Sequence, residues 1–128
     1  MKKIALFFML IGLGLTLNSC YYNKFPIVDP NPPAVDISFA TEIQPIFNNN
    51  CVACHNGSLD PDLRTGNSYN ALTSIPGSII PGDASGSELI EMLEHNPANP
   101  NPMPPSSPIS TTKITLIKNW INQGAKNN

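Results

Sequence analysis

Residues 51–55, with the sequence CVACH, carry the most specific chemistry in the chain. Two cysteines separated by two residues, and followed directly by a histidine, are typical of the attachment site of a c-type haem. The thiols of Cys51 and Cys54 would add across two vinyl groups of the porphyrin, because one short turn can bring both sulfurs to the ring. His55 would bind the iron as its proximal axial ligand. The motif therefore predicts one covalently bound haem c.

A six-coordinate haem iron needs a second axial ligand, and Met103 is the favoured candidate. It stands in the stretch NPMPP, residues 101–105. A residue before a proline is kept out of the helical conformation, and neighbouring prolines reduce the entropy lost when a loop becomes ordered. A methionine in such a polar loop has no evident packing role. A stiff loop of this kind would hold a weak thioether ligand in place.

Three further residues could contact the haem. Met92 is an alternative second ligand, but its helical spacing with Leu89 and Leu93 is typical of methionine in a hydrophobic core. His95 is another, although an imidazole at the end of the same predicted helix also interacts favourably with the helix dipole. Ligation by His95 would give a bis-histidine haem of lower potential. Arg64 could bind a haem propionate, because a guanidinium group suits a carboxylate, or it could be an ordinary surface arginine.

Two other uses of residues 51–55 fit the sequence less well. A zinc site would need a fourth ligand, which normally comes from a second paired cluster, and no such cluster is present. A thioredoxin-like dithiol would need a βαβ context, which is also missing.

The start of the chain has the pattern of a bacterial lipoprotein signal peptide. Lys2 and Lys3 precede an apolar run over residues 4–17, and the small residue Ser19 comes just before Cys20. This pattern predicts cleavage before Cys20, which would then carry the lipid. An uncleaved membrane anchor is the weaker alternative, because a spanning helix needs roughly 20 apolar residues.

The cysteine count and the charge agree with this arrangement. Three cysteines are an odd number for a secreted disulfide protein, whereas one acylated cysteine and two thioethers account for all of them. After cleavage, nine acidic residues face five basic ones, a formal charge of −4. That balance gives no reason to expect nucleic acid or an anionic lipid surface as a partner.

The chain divides into three predicted segments. Residues 1–19 form the signal peptide. Residues 20–36 are polar and proline-rich with no apolar period, which predicts an extended tether that begins at the lipidated cysteine. A strap packed on the domain is the alternative for this segment. Residues 37–128 contain the haem motif and every predicted helix, and their length allows one small domain.

The first predicted helix covers residues 39–50 and leads directly into the haem motif. Ser38 is one possible N-cap. Thr41 and Gln44 form an alternative capping box, which would place Pro45 in the first turn, where proline is tolerated. The apolar residues of this helix recur at helical spacing: Phe39, Ile43, Ile46 and Phe47.

Three more helices are predicted after the motif. A short one lies around residues 68–72, and a capping box of Ser85 and Glu88 opens another that runs through His95. The last helix has Ser110 as N-cap, Gly124 as its stop and one apolar stripe, made of Ile114, Ile117, Trp120 and Ile121. No strand pattern competes. The sequence therefore predicts an all-α fold of three or four short helices, with long proline- and glycine-rich loops around a covalent haem.

Several motifs occur together between residues 37 and 126. They are FATEIQPIF (39–47), CVACH (51–55), SYNAL (68–72), PGD (81–83) with Ser87 and Leu89, MPP (103–105) and WINQGAK (120–126). As a set they resemble the small monohaem cytochrome c domains of bacterial lipoproteins, often called planctomycete-type cytochrome c. The resemblance implies a class I cytochrome c fold with His55 and Met103 as the axial ligands.

A haem with both axial positions filled favours electron transfer over catalysis. The expected function is that of a non-enzymatic, membrane-tethered carrier of single electrons, which needs redox partner proteins and no small-molecule substrate. The lipid on Cys20 would hold it in the bacterial cell envelope, on the periplasmic or surface face of the outer membrane. The alternative is a haem-based sensor or enzyme with an open or labile distal site.

Overall fold

Helices supply all the regular structure in the described part of the chain. The computed structural model describes residues 35–128, so the predicted signal peptide, Cys20 and most of the predicted tether lie outside it. Within this range there are four α-helices and no strand, which confirms the all-α prediction. None of the four could span a membrane. The helices are α1 (Gln44–Asn50), α2 (Ser68–Ser74), α3 (Glu88–Leu93) and α4 (Thr111–Asn122).

A π-helical turn over Phe39–Ile43 precedes α1, so the start of this helix is wider than the sequence predicts. The hydroxyl oxygen of Ser38 accepts a hydrogen bond from the N–H of Thr41 at 3.3 Å, which confirms Ser38 as the N-cap. Pro45 gives a reason for the wide turn. It has no N–H to donate, and in a regular helix its ring would clash with the carbonyl four residues earlier. Regular α-helix begins only at Gln44.

The hydrophobic core is built around α4. Its buried residues are those of the predicted stripe: Ile114, Ile117, Trp120 and Ile121. Trp120 is completely buried, and the centroid of its ring lies 5.2 Å from that of Phe39. Gly124, with a φ of +99°, ends the helix in the left-handed conformation that glycine adopts without strain. Packing of α4 against the turn before α1 therefore fixes the element that leads into the haem motif.

The helix α2 matches the short helix predicted at residues 68–72 and extends to Ser74. Its buried residues are Ser68 and Leu72. The hydroxyl of Tyr69 donates to the carbonyl of Ala125 at 3.0 Å, which ties α2 to the segment after α4.

The helix α3 is shorter than predicted at both ends. Its first helical residue is Glu88, and the predicted cap, Ser85, donates its hydroxyl to Oδ1 of Asp83 at 2.7 Å instead. The predicted end at His95 is also wrong, because the helix stops at Leu93 and His95 has a φ of +51°. The hydroxyl of Ser85 is therefore used in a turn at Asp83 and does not cap the helix.

Candidate haem site

One largely apolar cavity brings the predicted haem-binding residues together. Its volume is about 330 Å³, which lies in the range of small-molecule and cofactor pockets. The haem motif and both candidate methionines line it: Cys51, Cys54, His55, Met92 and Met103. Apolar side chains form most of the remaining wall, among them Phe47, Leu63, Leu72, Ile75, Leu89 and Leu93.

The end of α1 places the haem motif at this cavity. The N–H of Cys51 donates to the carbonyl of Phe47 at 2.9 Å, which continues the helical path. The N–H groups of Cys54 and His55 then donate to the carbonyl of Cys51, at 3.1 and 2.9 Å. The motif is therefore a tight turn whose residues Cys51, Cys54 and His55 line one cavity.

His55 is held in the tautomer that an iron ligand needs. Its Nδ1 lies 3.1 Å from the carbonyl oxygen of Pro61. Because a carbonyl oxygen only accepts, Nδ1 carries the proton and the neutral ring keeps a lone pair on Nε2 for a metal. A hydrogen bond of this kind also orients the ring and makes the imidazole a stronger ligand.

Sequence reasoning did not find the role of Pro61. The group that contacts the histidine is a backbone carbonyl, and any residue type could provide it. Only the path of the loop after His55 brings this carbonyl to the ring. Leu63 helps to hold that path, since its N–H donates to the carbonyl of His55 at 2.9 Å.

Both candidate methionines reach the cavity. The N–H of Met103 donates to the carbonyl of Met92 at 2.9 Å, so the proline-rich loop is attached to α3. The expected core role of Met92 is not what the structure shows. The buried residues of α3 are Ile90 and Leu93, and Met92 is only partly buried and lies outside the hydrophobic core. Both thioethers are therefore available to a cofactor in the cavity.

His95 lies outside the lining of the cavity. It follows the end of α3, and its Nε2 is buried without a hydrogen-bond partner. The peptide N–H of His95 makes a long bond of 3.4 Å to the carbonyl of Met92. This side chain is thus close in sequence to the candidate ligand Met92 but does not share its access to the cavity.

Arg64 also lies outside the lining and pairs with Asp62 at the surface. The Nη2 of Arg64 lies 2.7 Å from Oδ2 of Asp62, and its Nε lies 2.9 Å from Oδ1. These hydrogen bonds hold the pKa of the Asp62 carboxyl well below its usual range, so the pair stays charged at neutral pH. The guanidinium group predicted to bind a propionate is already bound to a carboxylate of the protein.

The state of Cys51 bears on the competing use of the motif as a redox dithiol. Burial raises the pKa of this thiol to about 11, although nearby Lys113 acts in the opposite direction. The thiol is therefore protonated at neutral pH, whereas thiol–disulfide exchange requires the thiolate.

Residues 35–128 contain no group of three or more histidine, cysteine, aspartate or glutamate side chains that could hold a metal ion. A haem iron takes only two ligands from the protein, one on each face of the ring, so the expected site is not of that kind.

Comparison of the chain with protein-family models, with curated proteins and with solved structures found no match. The features that point to a haem are therefore the motif at residues 51–55 and the cavity that its residues line.

Proposed function

We propose that this protein is a membrane-tethered c-type cytochrome that carries single electrons through one covalently bound haem. One observation carries the proposal. The attachment motif at residues 51–55 and the thioether of Met103, which are far apart in the sequence, line the same largely apolar cavity. A covalently attached cofactor whose metal takes two ligands from the protein would need this combination of groups.

The residues of the cavity have distinct roles in this proposal. Cys51 and Cys54 would attach the porphyrin, and Nε2 of His55 and the sulfur of Met103 would hold the iron. When bound, the iron supplies reversible one-electron transfer. The apolar walls exclude water, and this burial helps to set the potential. The hydrogen bond to Pro61 keeps the imidazole of His55 in one orientation.

The cavity opens to the surface beside two apolar residues. Leu59 and Ile75 line the cavity and yet are 54% and 37% exposed. Electron transfer needs close approach of donor and acceptor but no contact of a substrate with the iron. An opening of this kind supports exchange with redox partner proteins.

A pyridine haemochrome spectrum of the purified protein tests the proposal. Protein produced together with a cytochrome c maturation system should give the spectrum of haem c at one haem per chain. The haem should also cycle reversibly between its ferric and ferrous forms in a one-electron titration. Protein produced without the maturation system is the control and should give no such spectrum. Matured, folded protein that lacks covalent haem would contradict the proposal.

The lipid anchor is tested separately at Cys20, which lies outside the described residues. Cys20→Ser should convert a protein that needs detergent for extraction into an unprocessed or soluble form, because serine has no thiol for acylation. Membrane fractionation and mass spectrometry measure the change. The haem spectrum should be the same in both forms. An unmodified Cys20 thiol in the mature wild-type protein would show that the chain is secreted without an anchor.

A further inference from the structure

Gln44 and Ser68 form a buried polar pair that contacts the loop after His55. Gln44 in α1 is 4% exposed, and Ser68 at the start of α2 is completely buried. The hydroxyl of Ser68 donates to Oε1 of Gln44. The Nε2 of Gln44 donates to the carbonyl of Leu63 at 3.1 Å and to Oδ1 of Asn48 at 2.9 Å. Both N–H groups and the oxygen of this amide are therefore used inside the protein.

Leu63 connects the pair to the histidine. Its carbonyl accepts from Gln44, and its N–H donates to the carbonyl of His55 at 2.9 Å. Pro61, two residues earlier, accepts from Nδ1 of His55 at 3.1 Å. The loop is thus held at Leu63 by two hydrogen bonds, one to His55 and one from Gln44, two residues after the carbonyl that contacts the imidazole.

We propose that Gln44, supported by Ser68, is a positioning residue that keeps the Pro61 carbonyl on Nδ1 of His55. Neither side chain of the pair lines the cavity, so their effect on a cofactor passes through the loop. The inference rests on the proposed haem, and it adds a residue that sets the donor strength of the proximal ligand.

The expected effect follows from the chemistry of imidazole. A strong hydrogen bond from Nδ1 makes Nε2 a more basic ligand, and a more basic ligand favours the ferric over the ferrous iron. Without the amide of Gln44, the carbonyl of Leu63 loses its side-chain partner in a buried site. The loop then relaxes, the carbonyl of Pro61 moves with it, and the ferric state loses part of its stabilisation.

A buried glutamine could instead serve only to hold α1 against α2. In that case its loss would lower the stability of the fold and leave the iron and the ring proton of His55 unchanged. Measurements on the haem-loaded protein distinguish these roles, because the ferric–ferrous equilibrium and the exchange rate of the Nδ1 proton report on the histidine itself.

The test compares three haem-loaded variants with the wild type. Gln44→Met keeps the side-chain volume and removes every hydrogen bond of the amide. It should shift the ferric–ferrous equilibrium toward the ferrous form by about threefold or more. In the ferrous protein, NMR should show that the Nδ1 proton of His55 exchanges about tenfold faster. Ser68→Ala should act in the same direction with a smaller effect.

Tyr69→Phe is the matched control, because it removes the hydrogen bond from α2 to Ala125 without touching the loop of His55. It should lose stability and keep the wild-type equilibrium and exchange rate. Wild-type values in Gln44→Met, or equal shifts in Tyr69→Phe, would overturn the inference. If Gln44→Met does not retain haem, Ser68→Ala decides by the same criteria. A wild-type protein without covalent haem would instead overturn the proposed function. The haemochrome spectrum of the wild type therefore shows whether the proposed function or only the inference about Gln44 has failed.

Discussion

Replacing both Cys51 and Cys54 with alanine should abolish covalent attachment of haem. Both thiols line the cavity, and the tight turn of residues 51–55 presents them together. Alanine has no sulfur to add to a vinyl group, so any haem in the double variant would be held by axial ligands alone. Haem staining after denaturing electrophoresis, together with the intact mass, should show complete loss of the cofactor from the chain.

The Cys20→Ser variant is the control for this experiment, because it removes the third cysteine and should leave the haem stain unchanged. Retention of covalent haem in the double variant would show that residues 51–55 are not its attachment site. Loss of the stain in both variants would indicate that export or maturation had failed. A wild-type sample processed in parallel identifies such a failure, because it would then lack the stain as well.

Met103→Ala should change the iron more than any other single substitution outside the attachment motif. Ferric haem with a methionine sulfur on the iron shows a weak long-wavelength charge-transfer band, which should disappear. The potential should fall by tens to hundreds of millivolts, because the choice of axial ligand spans about 0.8 V among haem proteins. The vacated position should bind cyanide or carbon monoxide. Absorption spectra, a redox titration and ligand binding measure these three effects.

Met92→Ala is the matched control, since Met92 lines the same cavity and its carbonyl accepts from the N–H of Met103. It should keep the charge-transfer band. A fully buried methionine costs about 2–5 kcal/mol when truncated to alanine. Because Met92 is only partly buried, the loss should be below about 2 kcal/mol, measured by chemical denaturation of the haem-loaded protein.

Other outcomes would reassign the second ligand. If Met92→Ala removes the band and Met103→Ala keeps it, Met92 binds the iron. If the wild type shows no band, His95 or an open position replaces the methionine. An open position would favour the haem-based sensor or enzyme over the electron carrier.

Features that depend only on residues close together in the sequence could be predicted from local patterns. The buried stripe of α4 follows from apolar residues at helical spacing, and the structure buries the four residues that this spacing selects. Ser38 caps the first helix because a hydroxyl at that position reaches the N–H three residues later. The turn of residues 51–55 is also local, since the backbone N–H groups of these residues donate to carbonyls at most five residues earlier.

Competition between nearby polar groups limited what the pattern could predict for α3. The sequence pattern predicts a capping box at Ser85, but Ser85 bonds to Asp83 and the helix begins later. Likewise, the helical spacing of Met92 with Leu89 and Leu93 is typical of a core position. Whether such a side chain meets other side chains or a cavity depends on what packs against the helix.

The sequence by itself determined the helical class, and it supplied the candidate attachment motif and a few candidate ligands, because these depend on residue type and short spacing. Only the tertiary structure placed Met92 and Met103 at one cavity with His55, brought the carbonyl of Pro61 to Nδ1 of His55, and brought the amide of Gln44 to the carbonyl of Leu63. The physical reason is that these contacts join segments distant along the chain, often through backbone carbonyls. Their positions are set by how the loops pack on the helices, which residue type and spacing do not encode.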